Sequence, residues 1–267
     1  MHRDVGAQRS RQRMPAEVLL RATHLTRRFG GLVAVDRVSL DLACDQIHAV
    51  IGTNGAGKST LVNVLAGEIA ATSGKVELLG RDATGWPQPR RARGGLGRSY
   101  QRTTLFPRFT VFENCRLAAQ ANDQRPWNWW SPAANAESSN ALAHDALLRS
   151  GLASFATRLA GTLAHGQQRQ LEIAMCLATA PRILLLDEPL AGMAAEESER
   201  MLDMLAGLKP GHAILLVEHD MDAVFRVADR ITVMVNGTVL ASGDPASVRS
   251  NPEVQAAYLG DVTGEPA

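Results

Sequence analysis

Apolar positions along the chain repeat with two periods, and the switches between them outline its elements. Residues 18–25 and 38–43 have the alternating, β-rich character of strands, and residues 46–51 form a third run that leads straight into a glycine cluster. Beyond the cluster, Leu61, Val62, Leu65 and Ala66 recur at helical spacing, and residues 75–79 return to strand character. Residues 81–97, broken by Pro87, Pro89 and paired glycines, read as loop. From about residue 102 to 163 the pattern turns helical, with helices expected over 111–120 and 136–150 on either side of a Pro- and Trp-rich connection at 125–132. That stretch predicts a helical lobe inserted into an otherwise single domain.

A strand and helix rhythm then resumes. It comprises a helix after Gly166, an apolar run at 183–186, a helix over 195–208 and an apolar strand at 213–217. Wholly apolar strands fit a parallel sheet covered on both faces. Asn236-Gly237, between apolar runs at 231–235 and 238–241, is a hairpin signal.

Composition narrows the classes. With 267 residues and 45% hydrophobic content the chain can bury a sizeable core. Its 28 basic and 27 acidic residues leave a net charge of +1, so no global electrostatic grip on nucleic acid is expected. Three dispersed cysteines, Cys44, Cys115 and Cys176, fit a reducing compartment, each as a small buried hydrophobe. No apolar run approaches the roughly 18 residues needed to cross a bilayer, and no secretory signal opens the chain, so a cytoplasmic location with peripheral membrane contact is expected. Residues 1–17, rich in Arg and Gln, read as a disordered basic tail or an extended start. The arginines between 90 and 102 read as a solvated face.

The glycine cluster carries the first chemistry. Gly52-Thr53-Asn54-Gly55-Ala56-Gly57-Lys58-Ser59, followed by Thr60, satisfies G-x-x-x-x-G-K-[ST] between an expected strand and an expected helix. Glycines there let backbone N–H groups turn inward around phosphate, Lys58 adds a point charge, and the Ser59 hydroxyl can ligate Mg²⁺. Asp187 and Glu188 end the apolar run at 183–186, at the edge where parallel sheets bind ligands. Asp187 is the candidate for the Mg²⁺ shell and Glu188 for the base that activates water. ATP and Mg²⁺ are the expected cofactors.

The segment Leu163-Ala164-His165-Gly166-Gln167-Gln168-Arg169-Gln170, with Gly166 21 residues before Asp187, resembles the signature segment of ABC-type ATPases. In order along the chain, Phe29 resembles that family's adenine-stacking aromatic, Gln101 its Q-loop glutamine and His219 its switch histidine. Singly, Phe29 would also read as a core aromatic and His219 as a buried or capping histidine; Gln101 alone says nothing. The resemblance, over about residues 18–260, implies an α/β P-loop NTPase core of mainly parallel sheet, an antiparallel β subdomain and the inserted helical lobe. It also implies that Ser59, Gln101 and Asp187 hold Mg²⁺ and that His219 contacts the γ-phosphate. Ala164, His165, Gly166 and Gln167 would act in trans on nucleotide held by a second ATPase subunit, identical or paralogous. The sequence departs from the family pattern in two segments: Ala164 stands where its serine is usual, followed by His165 where glycine is frequent, and the loop at residues 190–193 lacks its aspartate.

Segments such as Arg28-Phe29-Gly30-Gly31-Leu32 and Val217-Glu218-His219-Asp220-Met221 resemble the ATPase subunits of branched-chain amino acid importers. That resemblance implies separate permease subunits, a solute-binding protein acting indirectly, and uptake of branched-chain amino acids or related small polar solutes such as urea and amides. Phe106, Phe109, Val111 and Phe112 are candidates for the permease groove, or else lobe core; Trp127, Trp129 and Trp130 read either as a docking patch or as loop packing. A non-transport ABC ATPase acting on DNA or ribosomes is the alternative, and a catalytically dead regulatory module a third class.

Overall fold

The computed structural model describes residues 17–99, 105–121 and 137–259. Two sheets organise them. One is antiparallel, built from β1 (Val18–Phe29), β2 (Leu32–Ala43), β4 (Ser73–Leu78) and the two-residue β5 (Arg81–Asp82) in the order β2-β1-β4-β5. The other contains β3 (Gln46–Gly52), β6 (Leu96–Arg98), β7 (Ile183–Asp187), β8 (Ala213–Val217), β9 (Arg230–Val235) and β10 (Thr238–Gly243), in the order β10-β9-β3-β8-β7-β6. Every pairing in it is parallel except the β9–β10 hairpin, which turns at Asn236-Gly237 as expected.

The central strands are apolar throughout because both their faces are covered. Ile183, Leu185, Ala213, Leu215 and Val217 point into one core, shared with the antiparallel sheet and α1 (Lys58–Ala66). Leu184, Leu186, Ile214 and Leu216 point into a second core with α3 (Val111–Gln120), α4 (Glu137–Arg149), α5 (His165–Ala178) and α6 (Ala195–Leu208). Burying each such side chain contributes roughly 1.5–3 kcal/mol. A third, smaller core joins α7 (Met221–Val227), α8 (Pro245–Arg249) and α9 (Pro252–Leu259) to β3 and β9.

Among the described residues between β6 and α5, α3 and α4 stand where helices were expected. Thr110 caps α3 by accepting from the Glu113 N–H at 3.1 Å, while the Glu113 carboxylate accepts from the Thr110 N–H at 2.7 Å. The four candidates for the permease groove separate here. Val111 is fully buried and Phe112 packs against His144, whereas Phe106 and Phe109 stack on each other at 5.3 Å on the surface. Residues 102–104, where the lobe was expected to begin, and Trp127, Trp129 and Trp130 lie outside the described residues.

Two expectations need correction. Residues 81–97 are not simply loop: α2 (Gln88–Arg93) starts at a proline-tolerant first turn, and β6 takes its strand form by pairing with β7, Leu96 opposite Ile183. The nearby arginines are not all solvated. Arg91 is 2% exposed and donates to the carbonyls of Val64, Leu65, Thr84 and Trp86, closing the C-terminus of α1. Of the cysteines, Cys115 is buried and the other two are partly so; Glu17, counted with the tail, pairs with Arg182 at 2.9 Å.

Candidate functional site

The register of the parallel sheet brings the candidate residues together. Val50 lies opposite Val217, and Val217 opposite Asp187, so β3, β8 and β7 end at one level. From that edge emerge the phosphate loop, the two acids and His219.

The loop between β3 and α1 is held by close approaches that only glycine permits. Gly57 sits at φ +94°, and a Cβ there would lie 2.2 Å from the Ala34 carbonyl oxygen. Lys58 Nζ donates to the carbonyls of Gly52 at 2.6 Å and Thr53 at 3.0 Å, which folds the ammonium into the loop's mouth. Burial lowers its pKa, opposed by the carboxylates of Glu188 and Asp187. Around this mouth opens a cleft of about 450 Å³, lined by Phe29, Leu32, the loop residues Asn54, Gly55, Ala56, Gly57, Lys58, Ser59 and Thr60, Glu188, and the Asn236-Gly237 turn. Phe29 is 45% exposed at the rim instead of filling a core, and the Arg27 guanidinium lies over its ring, 4.4 Å from the centroid.

Asp187 is 3% exposed, and its Oδ1 has no hydrogen-bond partner. Burial and the neighbouring Glu188 push its carboxyl above the ordinary range, while Arg98, Ser59 and Lys58 pull the other way. A buried, unpartnered carboxylate oxygen beside a serine hydroxyl fits a hard divalent cation, which takes one or two carboxylates, a hydroxyl and phosphate oxygens. Among the described residues no cluster of three or more His, Cys, Asp or Glu is placed to hold a metal ion. Glu188 follows at φ +51°, strained for a non-glycine residue and directed into the cleft; its N–H donates to the Val217 carbonyl at 2.9 Å.

His219 follows β8, with a side chain 62% exposed, and is not among the residues lining the cleft. Gln101 lies outside the described residues. Ala164, Gly166 and Gln167 line a different cleft, also about 450 Å³, with Gln170, Glu197 and Arg200. Ala164 occupies the N-cap of α5 and offers no side-chain acceptor; the Gln167 Oε1 accepts from its N–H at 3.1 Å. His165 packs its ring against Gly192, 3.3 Å from where a Cβ would lie. The structure thus gathers the phosphate loop, Phe29 and both acids into one site and places Ala164, Gly166 and Gln167 at another cleft.

Three participants escaped sequence reasoning. Arg98 bonds to Asn63 and Glu68 of the α1 region and biases Asp187 electrostatically; Ser99 Oγ accepts from the Asp187 N–H at 3.4 Å; and the wholly buried Glu218 accepts from the Leu190 N–H at 2.9 Å and the His219 N–H at 3.3 Å. For Glu218 a signal existed: a carboxylate directly after a wholly apolar strand.

Comparison with known proteins agrees with this geometry. A family model described as ABC transporter matches residues 35–191, and one described as branched-chain amino acid ATP-binding cassette transporter matches residues 238–262. The chain is 44% identical over 255 residues to the high-affinity branched-chain amino acid transport ATP-binding protein LivG of Salmonella typhimurium, covering 92% of this chain and 99% of that one. It is 41% identical over 250 residues to BraF, of the same description, from Pseudomonas aeruginosa, covering 91% and 98%. Among solved structures, the ADP conformation of an ATP-binding cassette of an ABC transporter superposes with a TM-score of 0.82 at 30% identity, over 91% of this chain and 99% of that one. The chain belongs to the ATP-binding cassette family of ABC transporters, and it is an ATPase.

Proposed function

We propose that this chain is the ATP-hydrolysing subunit of an importer for branched-chain amino acids, working with separate permease subunits at the cytoplasmic face of the membrane. The observation that carries the solute class is the match over residues 238–262, because that segment lies outside the phosphate loop and acids that all such ATPases share. Among the described residues no helix is long and apolar enough to cross a membrane, so passage of solute requires other chains.

In this reading ATP lies in the cleft with its adenine on Phe29 and its phosphates against the N–H groups of the loop from Gly52 to Thr60. Lys58 exchanges its two carbonyl partners for phosphate oxygens. Ser59, Asp187 and Gln101 would hold Mg²⁺, which when bound neutralises charge developing on the phosphate oxygens. Glu188 orients and deprotonates the attacking water, a contribution of about 10²–10⁴-fold, and His219 contacts the γ-phosphate. A second subunit, identical or paralogous, closes the site with its own residues corresponding to Ala164, His165, Gly166 and Gln167. The helical lobe at about 102–163 meets the permeases, with the stacked pair Phe106 and Phe109 as an exposed apolar contact.

The test is reconstitution with candidate permease and solute-binding proteins from the same genome. Leucine-stimulated ATP turnover and leucine uptake are expected together. Stimulation by urea or short amides without response to leucine would move the solute class, and turnover indifferent to the permeases would overturn the transport reading.

A further inference from the structure

We propose that Glu218 is a positioning residue that joins the switch His219 to the loop following Glu188, so that the two respond to the γ-phosphate as one unit. The proposal rests on the reading of Glu188 and His219 as the groups that act on water and phosphate.

Glu218 follows β8 and is 0% exposed, yet among the described residues no Lys or Arg pairs with it. Its Oε1 accepts from the Leu190 N–H at 2.9 Å, two residues beyond Glu188, and its Oε2 accepts from the His219 N–H at 3.3 Å. The same Oε2 lies 3.8 Å from His219 Nδ1, within ion-pair range of an imidazolium. Its own N–H reaches the Val50 carbonyl at 3.4 Å, on the strand that carries the phosphate loop. One side chain therefore bridges the base loop and the switch histidine while its backbone is anchored on β3.

The chemistry explains why a carboxylate stands there. An uncharged side chain of similar size would avoid the desolvation that pushes the Glu218 carboxyl above its ordinary range. Glutamine, however, has one acceptor oxygen and places an amide donor against the second N–H, and leucine leaves both N–H groups unpaired. Only a carboxylate accepts from both. A shift of either segment when the γ-phosphate arrives or leaves strains the bond to the other, which links the geometry of the base to that of the histidine.

The test measures ATP turnover, ATP affinity, thermal stability and amide hydrogen exchange on the full chain for Glu218→Gln and Glu218→Asp, with Glu188→Gln and His219→Ala as references. Glu218→Gln is expected to lower kcat about tenfold with KM for ATP changed less than about twofold, and to speed exchange at the Leu190 or His219 amide. Glu218→Asp, which keeps two acceptors on a shorter stem, is expected to recover part of the turnover. Unchanged kcat in Glu218→Gln overturns the proposal, as does a loss that follows thermal stability and KM equally, the mark of a merely structural role. If Glu188→Gln and His219→Ala retain full turnover, the reading of those two residues falls and the coupling with it. If both are inactive while Glu218→Gln is not, the coupling alone falls.

Discussion

Helices α1 and α5 both begin with N–H groups available to an anion, and they are furnished in opposite ways. At α1 the chain supplies a cation, Lys58, tucked against two loop carbonyls, with a serine hydroxyl next to it, the Glu188 carboxylate on the cleft wall and the buried Asp187 behind. At α5 no lysine follows the terminus, and the cleft in front of it is lined by one carboxylate and one guanidinium, Glu197 and Arg200. Ala164 gives no hydroxyl, and the Glu197 carboxylate lies so close to Gly166 that a Cβ there would meet its carboxyl carbon at 2.9 Å. The first terminus combines loop amides with a buried ammonium, whereas at the second the helix dipole faces Glu197 and Arg200, whose charges oppose each other. In the dimer proposed above, such a terminus would meet a nucleotide already charge-compensated by the other subunit's lysine.

The largest way to break this contrast is at the first half-site. Glu188→Gln is expected to retain ATP binding and to lose about 10²–10⁴-fold in hydrolysis, accumulating a closed dimer detectable by gel filtration with ATP; retained turnover would remove Glu188 as the base. The buried charges of that half-site should also weigh on stability. Because the Asp187 pKa is raised in the fold, its favourable contribution is fully present below the unfolded value near 3.8 and is lost as pH rises through the folded value. Asp187→Asn should therefore raise the melting temperature at pH 7 and leave it little changed near pH 3.5, while abolishing turnover.

At the second half-site the expected effects are smaller. Ala164→Ser restores an N-cap acceptor, which is expected to stabilise the chain by about 1 kcal/mol in denaturant melts and to tighten the ATP-driven dimer. Glu197→Gln removes the opposing charge and should strengthen that dimer by the equivalent of about 0.3–1 kcal/mol at low salt, with the gain shrinking as salt is added. A Glu197→Gln dimer no tighter than the parent would show that the carboxylate serves only its own helix, where it accepts from the Ala194 N–H at 3.3 Å.

A separate pH effect sits far from both termini. His48 is buried, with Nδ1 3.0 Å from the Asp41 carbonyl and Nε2 2.8 Å from Thr232 Oγ1, and its pKa falls to about 4. A depressed folded value means stability present above the ordinary 6.5 and lost as pH falls toward 4, at most about 3 kcal/mol for a shift of that size. Denaturant melts at pH 7 and 4.5 check it, and a His48→Gln variant should flatten that part of the profile.

The sequence by itself determined the phosphate loop, the acids after β7, the apolar strands of the parallel sheet and the hairpin at Asn236-Gly237. Each is a contiguous pattern whose backbone requirement or period lies inside a short window. Tertiary structure alone decided the rest. Leu96–Arg98 is a strand only because Ile183 and its neighbours pair with it; Arg91 is buried only because α1 ends against it; and Glu197 opposes Gly166 only because α6 packs beside α5. Glu218 belongs with them. Its meaning depends on an N–H 28 residues away at Leu190, and hydrogen-bond partners brought together by sheet register leave no period in the sequence for a local reading to find.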